Sequence, residues 1–73
     1  MPGLPVVSGR EAARASQRDG AFVRRRIGSH PVLEKSGMEP TPLVPLHGKL
    51  AAGTLRALIR AAGLVVDDFR GLL

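Results

Sequence analysis

The clearest periodicity along the chain is Leu55, Leu58, Ile59 and Ala62, which stand at i, i+3, i+4 and i+7. That spacing is one face of an amphipathic helix, so it predicts a core-facing helix with Arg56 and Arg60 on the exposed side. Gly53 or Thr54 can cap its start, and Gly63 fits the left-handed position after its end. An earlier helix is signalled by its start rather than its face. Ser8-Gly9-Arg10-Glu11 fits a capping box, in which serine and glutamate each accept from the other's backbone amide. This helix is expected over residues 9–18, with Gly20 as its stop. Its apolar side is thin, Ala12, Ala13 and Ala15, and Ser16 and Asp19 fall where a small domain would gain from larger residues. Arg10, Arg14 and Arg18 recur every four residues as a basic stripe.

Between the helices the apolar runs shorten. Residues 21–26 hold Phe22 and Val23 and read as a strand, Ile27-Gly28-Ser29 as a turn, and residues 32–35 as the returning strand. Pro31 has no amide proton for a ladder, which places it at a strand start, an edge or a bulge, and it pushes His30 toward extended geometry. Residues 36–40 read as a loop. A third strand over residues 41–46 carries Pro42 and Pro45 and is expected to be irregular or at an edge. Residues 1–7 read as an extended lead-in and residues 47–52 as a link to the second long helix. A short last helix is expected over residues 67–73, with Asp67 and Asp68 at its N-terminus and Phe69, Leu72 and Leu73 closing the core. The expected class is α+β in the order α-β-β-β-α, a three-stranded antiparallel sheet with the helices on one face.

Length limits this picture to one small domain, since 73 residues bury only a modest core. Charge says more. Eleven Lys and Arg against six Asp and Glu give a formal charge of +5, and all the cations but Arg70 lie between Arg10 and Arg60. Such a balance points to a polyanionic partner, nucleic acid first, an acidic protein or an anionic membrane second. Phe22 and Phe69 are the whole aromatic inventory, so a base-stacking platform is excluded, and nucleic acid would be held through phosphates, hydroxyls and shape. No apolar run is long enough to cross a bilayer, and the first residues lack the order of a secretory signal. The absence of cysteine suits a reducing cytosol, so a cytoplasmic location is expected.

Candidate chemistry is concentrated in Arg24-Arg25-Arg26-Ile27-Gly28-Ser29-His30-Pro31. Arginine stays protonated, so Arg24, Arg25 and Arg26 can bind and stabilise charge but cannot move protons. In a regular strand Arg24 and Arg26 would share a face and Arg25 would point the other way. Ser29 can donate a hydrogen bond to a bound group or satisfy the turn. His30 suits proton transfer near neutral pH, although a histidine before a proline can also serve local geometry alone. His47 is the other histidine; it could be a second proton-transfer group, or a linker residue at the start of the next helix. Two histidines without cysteine are too few for a structural zinc site, and no metal or cofactor is expected.

Three blocks together carry a family resemblance. They are Leu4-Pro5-Val6-Val7-Ser8-Gly9-Arg10-Glu11, then Arg25-Arg26-Ile27-Gly28-Ser29-His30, and Val44-Pro45-Leu46-His47 continuing through Leu50 and Gly53-Thr54-Leu55-Arg56 to Ala62-Gly63-Leu64. In this order and spacing the chain resembles HicA-type toxins, small ribonucleases of toxin–antitoxin pairs. The resemblance implies a single toxin domain over residues 1–73 with a fold like the double-stranded RNA-binding domain. It also implies metal-independent cleavage of messenger RNA and neutralisation by a HicB-type antitoxin. The family's functional histidine falls on His30. The chain departs from the pattern at Pro31, at Ser16, at Ala21-Phe22, where the aromatic is shifted by one place, and at Val65, where a small polar cap is usual. A non-catalytic RNA-binding module of the same fold is the alternative.

Overall fold

The computed structural model describes residues 3–38, 40–41 and 43–73. Met1 and Pro2 of the expected lead-in, Glu39 of the loop and Pro42 of the expected third strand lie outside them. Five elements follow in order: α1 (Gly9–Arg18), β1 (Phe22–Ile27), β2 (His30–Glu34), α2 (Ala52–Ala61) and α3 (Val66–Arg70).

The capping box that begins α1 is formed. Glu11 N donates to Ser8 Oγ at 3.1 Å, and Ser8 N donates to Glu11 Oε1 at 2.9 Å. Those bonds to Ser8 hold the Glu11 carboxyl below its ordinary pKa, because they favour the ionised form. The helix ends as Gly20 predicts. With Gly20 at φ 98°, its N–H reaches Gln17 O and the Ala21 N–H reaches Ser16 O, so the last carbonyls are satisfied. Ser16 needs no larger replacement. It is buried, and its hydroxyl donates to Ala12 O at 3.0 Å. Asp19 also has work as it stands, accepting from Lys35 Nζ at 2.7 Å, and the same ammonium lies 3.4 Å from Ala62 O at the end of α2. One lysine thus ties the ends of both long helices to the end of β2.

Helix α2 buries the expected stripe of Leu55, Leu58, Ile59 and Ala62. It starts earlier than Gly53 or Thr54 would suggest, with Ala51 as N-cap and no side-chain cap. Gly63, at φ 71°, closes it with the same pair of bonds seen after α1. An added methyl at Gly53 meets nothing within 4 Å, and the position is exposed in the first turn of α2. Gly53→Ala is therefore expected to stabilise the protein by about 0.5–1 kcal/mol through lost unfolded-state entropy. A urea midpoint that does not rise would contradict this placement.

The last helix is α3, shorter than residues 67–73 and capped by Val65 without a side-chain bond, so Asp67 does not replace the missing polar cap. Phe69 is fully buried, whereas Leu73 is 45% exposed and does not close the core. The core cluster joins Ala12 and Ala15 of α1, Leu55, Leu58 and Ile59 of α2, and Phe69 of α3 with Val7, Val44 and Leu50.

The sheet corrects the expectation most. It has two strands, β1 and β2, paired antiparallel from Phe22↔Glu34 to Ile27↔His30. No third strand is formed among the described part of residues 41–46. That segment still lies along the far edge of β2. Thr41 N donates to Leu33 O at 2.8 Å, Val44 N to Pro31 O at 3.1 Å, and Leu33 N to Thr41 Oγ1 at 2.9 Å. The reason is in the donors. Pro31 and Pro45 have no N–H, and a threonine hydroxyl takes the place of a backbone acceptor, so a regular ladder cannot propagate.

Candidate functional site

The β1–β2 hairpin positions the arginines and His30. Gly28 and Ser29 alone form the turn, since Ile27 pairs with His30. Gly28 has φ 62° and Ser29 has no positive φ, the pattern of a two-residue type II′ turn, whose first position favours glycine. Each strand therefore runs closer to the turn than the expected bounds of 21–26 and 32–35, and His30 begins β2.

Pro31 does not displace His30. Leu33 and Pro31 aim their backbone polar groups at the 41–46 segment, so the amide proton that Pro31 lacks belongs to that edge and not to the β1 ladder. Its ring is buried in β2.

The register also reassigns the arginines. Val23 pairs with Leu33 and Arg25 with Val32, so Arg24 is the extra residue of a β-bulge. One inserted residue reverses the alternation beyond it. Paired residues share a face, which puts Arg25 and Ile27 with His30, Val32 and Glu34, and puts Arg26 with Pro31, Leu33 and Val23. The Arg24 guanidinium reaches Glu34 at 3.5 Å, on the His30 face. The expectation that Arg24 and Arg26 share a face is thus wrong; the bulge gives Arg24 and Arg25 to the His30 face and sends Arg26 to the other. Arg24, Arg25, Arg26 and Ser29 are all exposed. No carboxylate pairs with Arg25 among the described residues, so it is the unshared cation beside His30, while Arg24 is partly neutralised by Glu34.

His30 is half-buried, and its Nδ1 is buried without a hydrogen-bond partner among the described residues. Leaving a polar atom in that state costs about 1–3 kcal/mol. With Nδ1 turned inward, the Nε2 edge of the ring is the one left to meet a ligand. His47 stands apart from this arrangement. It is an exposed residue in the connection where Gly9 N approaches Gly48 O and Leu50 N donates to Val7 O at 2.8 Å.

The first-helix stripe is divided. Arg18 Nη1 donates to Leu72 O at 2.6 Å and anchors the C-terminal end. Arg10 and Arg14 instead line a cleft with Arg26. No spacing rule on one element could have brought these three together, because Arg26 turns toward α1 only through the bulge. A separate cavity of about 540 Å³ lies between α2 and α3 among residues such as Arg56, Ile59, Arg60 and Val65. It contains no proton-transfer group and none of the hairpin. No three His, Cys, Asp or Glu side chains gather as metal ligands among the described residues, and no described helix is long and apolar enough to cross a membrane.

A small α+β chain with an arginine-rich hairpin and one histidine beside it belongs, by comparison of its sequence with family models, among the toxins of toxin–antitoxin pairs. Residues 9–64 match the family model described as the HicA toxin of bacterial toxin–antitoxin systems, a span that takes in α1, the hairpin and α2. The chain belongs to the HicA toxin family. No curated protein and no solved structure gave a significant match.

Proposed function

We propose that the chain, as a single toxin domain over residues 1–73, is a metal-independent endoribonuclease that cleaves messenger RNA in the cytoplasm and is neutralised by a HicB-type antitoxin. The observation that carries the reading is His30, held in β2 on the same face as Arg25.

RNA supplies its own nucleophile. The 2′-oxygen attacks the adjacent phosphorus, the bond from phosphorus to the 5′-oxygen breaks, and a 2′,3′-cyclic phosphate and a 5′-hydroxyl remain. One proton leaves the 2′-hydroxyl and one reaches the departing 5′-oxygen. His30, through Nε2, carries one of these transfers and water the other. Arg25, with Arg24 beside it, faces the charge that grows on the phosphoryl oxygens, and Ser29 at the turn offers a hydroxyl donor. Arg26, on the opposite face, binds RNA without touching the same phosphate.

The purified chain is expected to cut mRNA in the presence of a chelator and to leave cyclic-phosphate and 5′-hydroxyl ends. Products bearing 5′-phosphate, or cleavage abolished by chelation, would defeat this chemistry. A binding module without catalysis is the second reading, favoured by one observation: among the described residues no hydrogen bond orients the His30 ring through Nδ1. RNA bound tightly and never cut would decide for it.

A further inference from the structure

The cleft between α1 and the hairpin holds Arg10, Arg14 and Arg26 over an apolar floor of Ala13, Val23 and Leu33. Its volume is about 140 Å³, too small for a typical metabolite pocket but open to a single phosphate and part of its sugar. None of the three guanidiniums has a carboxylate partner among the described residues. They come from two consecutive elements, α1 and β1, and meet only because the bulge at Arg24 turns Arg26 toward α1. A bulge that re-aims a cation into a cluster of cations works against folding unless an anion is to be received there.

We propose that this cleft is a second, non-catalytic phosphate site, where the RNA backbone is gripped after crossing the hairpin from the His30 face. The inference rests on the ribonuclease reading above. The edge of β1 makes the crossing possible. In the sheet β1 has β2 as its partner, and the described part of the 41–46 segment covers the other side of β2, so the outer edge of β1 is open among the described residues. Arg25 and Arg26 stand on either side of that edge, one facing His30 and the other facing Arg10 and Arg14. A flexible strand with a charge at every nucleotide can bend over it. The forked guanidinium matches phosphate oxygens, and the apolar floor can lie against a ribose. No aromatic residue lines the cleft, so this grip on the backbone carries no base preference.

The test uses the full chain, in a His30→Ala background for binding and with His30 intact for kinetics, and a mixed-sequence single-stranded RNA oligonucleotide as probe. Arg10→Gln with Arg14→Gln is expected to make the slope of log affinity against log salt shallower by about 0.7, the value for the one phosphate that is no longer neutralised. In the kinetics KM should rise with kcat unchanged, because a binding interaction remote from the reacting phosphate contributes equally to ground and transition states. Arg56→Gln with Arg60→Gln removes equal charge from α2 and should leave the slope as it was. Equal changes of slope from both pairs would reduce the effect to net charge and overturn the site. So would an unchanged slope in the Arg10 and Arg14 variant, or displacement of the RNA by poly-glutamate at equal charge concentration, which would reassign the cleft to an acidic protein. If no variant binds or cuts RNA, the ribonuclease reading itself fails; if cleavage persists and only the slope prediction fails, the second site alone is refuted.

Discussion

Gly9→Ala is expected to destabilise the protein by about 3 kcal/mol or more, through a backbone collision that no side chain can relieve. A methyl group built on Gly9 would overlap the carbonyl oxygen of Pro45 and come within 2.7 Å of its carbonyl carbon. Most small-to-large changes in a packed interior cost about 1–3 kcal/mol because neighbouring side chains can shift. Here the neighbour is main chain, in the segment that crosses the start of α1. Moving it would strain the Leu50 N–Val7 O bond and the Ser8 pairing with Lys49, each worth about 1 kcal/mol. A domain of this length has only about 4–11 kcal/mol of stability, so the loss is a large share of the whole. In a melt it corresponds to a fall of about 12 °C or more. Gly53→Ala is the matched control, because its methyl enters open space. A Gly9→Ala melting temperature equal to that of the natural chain would show that the crossing segment does not lie as described.

Both long helices, α1 and α2, were legible because their signals are local. Ser8 and Glu11 are three residues apart, and the Leu55 stripe repeats within a single helix. Both glycine stops were legible for the same reason. The third strand was not. Alternation and β-branching can suggest a strand in residues 41–46, but a strand also needs donors, and here Pro31 and Pro45 withhold them on both sides of the seam. The position of Pro31 is plain in the sequence, yet which edge its missing N–H falls on depends on the register, a tertiary property. Gly9 is a similar case. Its place in a capping box accounts for a small residue near the helix start, while its actual constraint comes from Pro45, thirty-six positions along the chain.

The site was legible as a stretch but not as an arrangement. His30 and the three arginines were placed on one hairpin, and the fold keeps them there. Their division between faces came out reversed for Arg25 and Arg26, because β1 spends one more residue than β2 between Val23 and Arg25. Nothing in Val23-Arg24-Arg25 signals a bulge, since no glycine marks it. The same insertion explains why Arg10 and Arg14 have Arg26 as a neighbour while Arg18, one turn further along the stripe, serves the C-terminal end instead. A helix face fixes which residues travel together. It does not say what they meet.

His30→Ala is expected to lower kcat for RNA cleavage by about 10²–10⁴-fold, the range of a single missing proton-transfer group. RNA affinity should change little, because the cations that hold the phosphates, Arg25 foremost, are untouched. In cells, expression of the natural chain should arrest growth with loss of bulk mRNA, and the variant should do neither. The substitution also carries an expectation about stability that separates function from folding. The Nδ1 atom of His30 is buried and makes no hydrogen bond among the described residues, so its removal breaks no bond and relieves an unsatisfied polar group. The ring's packing is removed at the same time, and His30 is only half-buried, so the two effects are of opposite sign and similar size. A folded variant with an unchanged melting temperature, intact RNA binding and no cleavage is therefore the expected result. A histidine that served only the turn would behave in the opposite way, with reduced stability and retained cleavage. Equal arrest by both forms, or arrest with intact mRNA, would remove His30 from the chemistry.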